Sequence, residues 1–162
     1  LLNRLDNETG GIVFFAKSHE AFLYYLEAMN QERIEKYYLA IVEGILDKPG
    51  RIQVPIAHHA KNAKKMTAVQ GKAKFRGTPQ PAETSYIVLE KRKEETLLEV
   101  KITKGVRHQI RVHLASIGHP IKGDKIYSKS PSNLEFHCLY AYRTIFKNRQ
   151  GKTIDVSIPK FF

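Results

Sequence analysis

Five side chains able to donate hydrogen bonds or move protons crowd into seven consecutive positions: Arg107, His108, Gln109, Arg111 and His113. Ile110, Leu114 and Ile117 follow at helical spacing and are expected to pack inward. His108, Arg111 and Ala115 lie at i, i+3 and i+7 on a neighbouring face, where the small alanine leaves room above the arginine. Such a face presents a guanidinium, a fixed fork of donors, to an anion. Gly118 then closes the helix and His119-Pro120 turns the chain.

Other candidates are scattered. Asp6 sits in Arg4-Leu5-Asp6-Asn7-Glu8-Thr9-Gly10-Gly11, before a glycine pair, on a turn where functional groups are often displayed. Read locally, an Asp or Asn there is explained by hydrogen bonds to its own backbone. Tyr37 and Tyr38 alternate in a strand, so one belongs to the core and the other opens to a cleft. A tyrosine beside a basic surface is a stacking platform for a base, although strand tyrosines commonly just pack. The histidines fit no standard zinc spacing and Cys138 has no partner cysteine, so no metal is expected. His108, His113 and His119 remain a possible acid–base set of the nuclease kind. No Walker glycine loop and no G-x-S-x-G elbow is present.

The elements that must position these groups fit one domain of 162 residues. A strand is expected from Gly11 to Lys17 and a helix from an N-cap at Ser18 to about Gln31, with Phe22, Leu23, Leu26 and Met29 on one face. Tyr37–Gly44 reads as a strand, and Arg51–Ile56 as a short edge strand near Pro55. Residues 58–80, rich in lysine and small residues, suggest a mobile basic loop or ribbon. Glu83–Lys91 and Thr96–Thr103 form a hairpin, and Leu98, Val100 and Ile102 alternate with Glu99 and Lys101 as in a half-buried strand. Strands over 134–147 and 153–158 follow the 107–117 helix, joined by a turn at 148–151. Helices do not alternate with strands, so the class is α+β, a mostly antiparallel or mixed sheet flanked by a few helices.

Lys plus Arg number 27 against 16 Asp plus Glu, a net charge of +11. A domain this basic meets a polyanion, usually nucleic acid; a merely solubilising surface is the alternative. No apolar run approaches a membrane span and the first residues lack a signal-peptide pattern. The single cysteine excludes an intramolecular disulfide and fits a reducing cytoplasm.

Taken in order, these segments resemble the RluA-type RNA pseudouridine synthases. Arg4-Leu5-Asp6 with Glu8-Thr9-x-Gly11 resembles that family's R-L-D-x-x-T-x-G signature. Lys36-x-Tyr38-x-Ala40-x-Val42-x-Gly44 resembles a second motif, and His108-Gln-Ile-Arg111-x-His113 with Gly118-His-Pro-Ile121 and Gly123-Asp124 a third. Pro55-Ile56, Lys65-Met66, Ala82-x-Thr84 and the Leu139–Phe146 segment fall in the expected order. The match runs from about Asn3 to Pro159. Asn3, Gly10, Tyr140 and Gly105-Val-Arg107 depart from the common pattern without removing a catalytic group.

The resemblance implies the pseudouridine synthase fold and isomerisation of chosen uridines in structured rRNA or tRNA, by a cytoplasmic monomer needing no cofactor or metal. Asp6 would be the catalytic carboxylate, Tyr38 the ring against the target uracil and Arg111 the ion-pair partner of Asp6. Arg4 would enter the RNA where the flipped base had been. Lys61, Lys64, Lys65, Arg107, His108 and Gln109 are the remaining candidates for RNA contact. Because the family carries strands before the R-L-D motif, often after an S4-like domain, the chain is expected to be the catalytic domain without those parts. Attack at C1′, attack at C6 and initial proton abstraction are all compatible with these residue types. A non-catalytic RNA-binding module of the same fold is the main alternative; loss of Asp6 or Arg111 would mark it, and both are present.

Overall fold

The structure, a computed structural model, describes residues 1–159 and 162. Its centre is β2 (Glu35–Glu43), whose residues 36 and 38–42 are buried, so both faces carry core. Leu39 and Ile41 point to one side with Leu97 and Tyr142. Tyr38, Ala40 and Val42 point to the other, against Leu98, Val100, Ile110, Leu114 and Ile121. This follows from period-2 alternation in a strand with apolar residues at nearly every position.

Around β2 the main sheet runs β1-β9-β2-β8-β7-β3, with β10 paired to the far part of β9. Its strands are β1 (Gly10–Gly11), β3 (Gly50–Gln53), β7 (Glu83–Lys91), β8 (Glu95–Ile102), β9 (Leu139–Lys147) and β10 (Thr153–Ser157). All neighbours are antiparallel except β1 and β9. Helix α1 (His19–Asn30) starts at Ser18, whose hydroxyl accepts from the Ala21 N–H at 3.1 Å. It rests on the end of β9, with Tyr25 edge-on to Phe146 at 5.4 Å. Helix α2 (Gln109–Ser116) covers the Tyr38 face of the sheet. The class expected from sequence, α+β with a mixed sheet, is the observed one.

Several expectations change. Residues 12–17 form no regular strand: Ile12 N–H still reaches the Ala141 carbonyl, but Phe14 turns back to bond Leu2 and Asn3 instead of extending a ladder. Residues 58–80, expected as a mobile basic loop or ribbon, belong to a second sheet of β4 (Ile56–His59), β5 (Met66–Ala68) and β6 (Phe75–Gln80), in the order β5-β4-β6. Ile56, Met66 and Ala68 anchor it by packing with Val106 and Val112 beside α2. Ile117 and Leu23, expected inside, are exposed. At Ile117 the helix has already ended: Gly118, at φ +87°, bonds back to Ala115 and His119 bonds back to Leu114. This paired capping turns the chain away.

The two glycines after the Asp6 turn explain how a two-residue strand holds its place. Gly11 has φ +121°, and a Cβ there would collide with the Ala141 backbone in the neighbouring strand. Gly11→Ala therefore combines backbone strain with overpacking and should cost roughly 2–5 kcal/mol. Urea denaturation measures this; a loss below about 0.5 kcal/mol would mean the β1–β9 contact does not hold the turn.

Candidate active site

A cleft of about 930 Å³ opens between the Asp6 turn, β2 and the start of α2. Asp6, Tyr38 and Arg111 all line it, although they come from three distant parts of the chain. The turn is built locally: Thr9 N–H bonds the Asp6 carbonyl at 3.0 Å while Glu8 adopts φ 72°. Thr9 Oγ1 then bonds His137 Nε2 at 2.7 Å, tying the turn to the chain ahead of β9. His137 Nδ1 is buried without a hydrogen-bond partner, 3.7 Å from a Glu8 oxygen.

Arg111 is committed more deeply than expected. Its Nε and Nη2 donate to the two oxygens of Asp124 at 2.7 and 2.8 Å, a two-pronged contact. Its Nη1 reaches the Asp6 carboxylate singly, at 3.3 Å. The side chains of Asp124 and Arg111 are 0% and 5% exposed, against 23% for Asp6. Burial pushes the Asp124 carboxyl up, but the Arg111 bonds and charge and the N–H groups of Ile126 and Tyr127 together hold it below the usual carboxylate range. Burial alone would lower Arg111; Asp124 and then Asp6 hold it above its ordinary value. The expected Arg111–Asp6 pair is therefore the outer half of an Asp124–Arg111–Asp6 relay.

The sequence places Asp124 in the Gly123-Asp124 motif without assigning it a task. Only its pairing with Arg111, 13 residues earlier, reveals one. Tyr127 carried no signal at all. Its ring lies 5.3 Å beneath the Arg111 guanidinium and 5.3 Å from the Lys65 ammonium. Its hydroxyl accepts from Met66 N–H at 2.8 Å and bonds His108 Nδ1 at 2.8 Å. One tyrosine thus joins the basic second sheet to the base of the site.

Tyr38 is 7% exposed and forms part of the cleft wall. Burial first, and the Asp6 charge second, push its hydroxyl up to about 12, so the ring stays neutral. Tyr37 faces the other way and bonds Glu35 at 2.7 Å.

The candidates for RNA contact divide. Arg4, Lys64 and Arg107 are exposed and line the cleft. Lys61 is exposed but lies outside it, and Lys65 is turned onto Tyr127. Gln109 has a different role: it is 3% exposed and its amide is fully used. Its oxygen accepts from Val106 N–H at 2.9 Å, and its nitrogen donates to the Glu83 carbonyl at 2.7 Å and Thr84 at 3.2 Å. It holds the helix start against β7, and both of its amide hydrogens are taken. His108 is likewise buried and engaged by Tyr127; it forms the helix N-cap at φ 56°.

The histidines do not assemble. His113 bonds Thr84 and the Val54 carbonyl, both at 2.8 Å, and His119 bonds the Glu43 carbonyl. Each of the three has its own partners, which removes the geometric basis for a histidine nuclease. Among the described residues no group of three or more His, Cys, Asp and Glu is arranged to hold a metal ion. No described helix is long and apolar enough to cross a membrane.

Against known proteins, the profile of the RNA pseudouridylate synthase family matches residues 1–116. Ribosomal large subunit pseudouridine synthase D of Nitrosomonas europaea is 39% identical over 130 residues, covering 80% of this chain and 36% of that protein. An uncharacterized RNA pseudouridine synthase of Helicobacter pylori strain J99 is 38% identical over 163 residues, covering 100% of this chain and 63% of that one. The chain thus spans from about a third to under two thirds of the length of these relatives. Human RNA pseudouridylate synthase domain containing 1 superposes with a TM-score of 0.86 at 23% identity, over 98% of this chain and 68% of its own. Human RNA pseudouridylate synthase domain containing 4 gives 0.79 at 25% identity, over 100% and 72%.

Two outcomes follow from the electrostatics. Asp124→Asn leaves the Arg111 charge buried with half its compensation, at a cost of roughly 3–5 kcal/mol in a denaturant titration; a change under 1 kcal/mol would remove Asp124 from its anchoring role. Burial holds His108, His113 and His137 below the ordinary histidine pKa. Below about pH 6.5 the unfolded chain takes up protons that the folded one refuses, so stability falls as pH drops from there through the folded values. Denaturation at pH 7.5 and 5.5 should give a clearly lower midpoint at 5.5. An unchanged midpoint would contradict neutral, buried rings.

Proposed function

The chain belongs to the RNA pseudouridylate synthase family, and on that premise we propose that it isomerises uridine to pseudouridine in RNA with Asp6 as the attacking carboxylate. The observation that carries this reading is the placement of Asp6: partly exposed in a cleft, tethered from behind by a buried, fully engaged arginine, and faced by a neutral aromatic wall. A carboxylate is ionised at neutral pH and needs no activating base to add to carbon and leave again. The Arg111 contact fixes its direction while leaving one of its oxygens without an arginine bond.

Isomerisation breaks the N1–C1′ bond, turns the uracil and joins C5 to C1′; C5 then loses its proton and N1 gains one, so the atoms balance. The detached base must be retained while it rotates. Tyr38 offers a flat wall that holds a ring without fixing its in-plane orientation. The nucleotide must first leave its stack, at a cost of a few kcal/mol. Phosphate contacts from Arg4, Lys64 and Arg107 at the cleft would offset that cost. The reaction needs no cofactor or metal in this scheme. The names of relatives from several bacteria point to large-subunit ribosomal RNA as the substrate.

Carbodiimide mapping of large-subunit rRNA and of tRNA incubated with the purified protein tests this. Pseudouridine should appear at discrete rRNA positions with chain length and mass unchanged, and Asp6→Asn should lose at least about 10³-fold in rate, as expected when a nucleophile is removed. An Asp6→Asn protein as active as wild type would refute the mechanism, and shortened RNA would identify a nuclease instead.

A further inference from the structure

Lys36 is a cation buried inside the same cleft, and neither the relay nor the rim accounts for it. It is 9% exposed and lines the cleft two residues before Tyr38, on the same face of β2. The other interior cation, Arg111, is held by two carboxylates. Its backbone pairs within the sheet, but the Lys36 ammonium has no ion pair or hydrogen bond with any described residue. Burial is the sole cause of its pKa falling below the ordinary lysine value, with no nearby carboxylate to offset it. Lys125, also at the cleft, pairs with Glu8 at 3.5 Å.

An unpaired buried ammonium is costly, and a structural lysine would snorkel to solvent or find a carboxylate. Lys36 does neither. Gly105 borders its tip, where an added Cβ would stand 3.5 Å from the ammonium nitrogen, an ordinary contact. The segment that passes over it, 103–108, carries Lys104 and Arg107 toward the same cleft.

We propose that Lys36 binds a backbone phosphate of the nucleotide whose base enters the cleft, completing its charge only when RNA is bound. The identity of the anion rests on the RNA-modifying reading; the site itself rests on the unpaired ammonium. The phosphate would replace the water lost on burial with charge-assisted hydrogen bonds. Lys36 thereby anchors the nucleotide by its backbone, which leaves the base free to turn against Tyr38.

The test needs no turnover. Binding of uridine, uridine 5′-monophosphate and uridine 3′-monophosphate is followed by NMR titration of wild type, Lys36→Met and Lys36→Arg. Wild type should bind one of the two monophosphates about ten-fold or more tightly than uridine, the effect of one charge-assisted contact. In Lys36→Met that preference should fall to under about three-fold with uridine binding unchanged, and Lys36→Arg should keep part of it. Because the methionine removes an unpaired buried charge, its thermal midpoint should be equal to or above that of wild type.

Should Lys36→Met fail to fold, the ¹⁵N signal of the Lys36 ammonium in wild type decides. It should move with the monophosphate and not with uridine. Equal affinity of wild type for uridine and both monophosphates, a preference that survives Lys36→Met, or an ammonium signal indifferent to phosphate would each overturn the proposal. Phosphate binding without pseudouridine formation would leave the site standing and sink the catalytic reading instead.

Discussion

The buried Arg111 guanidinium constrains everything around it, because removing an arginine from water costs several kcal/mol that only good geometry returns. Asp124 supplies that geometry with two parallel contacts, and it is itself fixed by N–H groups of the turn that follows. Such a pair is a weak source of net stability, since apolar residues of equal volume would hold a core as well. What it provides is direction. With two nitrogens taken by Asp124, the third points at one place, and Asp6 occupies it.

The Asp6 turn depends on the sheet in turn. It has almost no core of its own: β1 is two residues long, pairs with Tyr140 and Ala141, and is steadied by the Thr9–His137 bond. Gly11 lets its backbone approach β9 more closely than any side chain would permit. The Asp6 turn is thus tied to β9 through Gly10 and Gly11, and its carboxylate to Arg111, two elements that come together only in the folded molecule. Neither contact makes sense without the other.

This explains which parts of the site were legible in the sequence. The helix over 109–116, the hairpin of β7 and β8, and β2 carry strong local periodicity, and they stand close to where the pattern put them. Asp6, Tyr38 and Arg111 were recognisable through ordered motifs, and all three line one cleft. The second sheet was missed because its apolar anchors, Ile56, Met66 and Ala68, are sparse among lysines and gain their burial from Val106 and Val112, which are distant in sequence. Gln109 looked like a donor for RNA because a sequence shows donors but not whether a backbone carbonyl has already taken them. Asp124 stood in a motif without an assigned task because its partner is chosen by packing.

Tyr127 links the two halves of this picture. The basic second sheet could have been an appendage, attached to the domain through α2 alone. Instead Met66 N–H, at the start of β5, bonds the hydroxyl of a ring that also lies beneath Arg111 and receives Lys65. The same hydroxyl engages His108, the residue that starts the helix carrying Arg111. A neutral, half-buried phenol between two cations tolerates both because its ring face is electron-rich. The seating of the basic sheet and the guanidinium that directs the carboxylate therefore meet at one aromatic side chain.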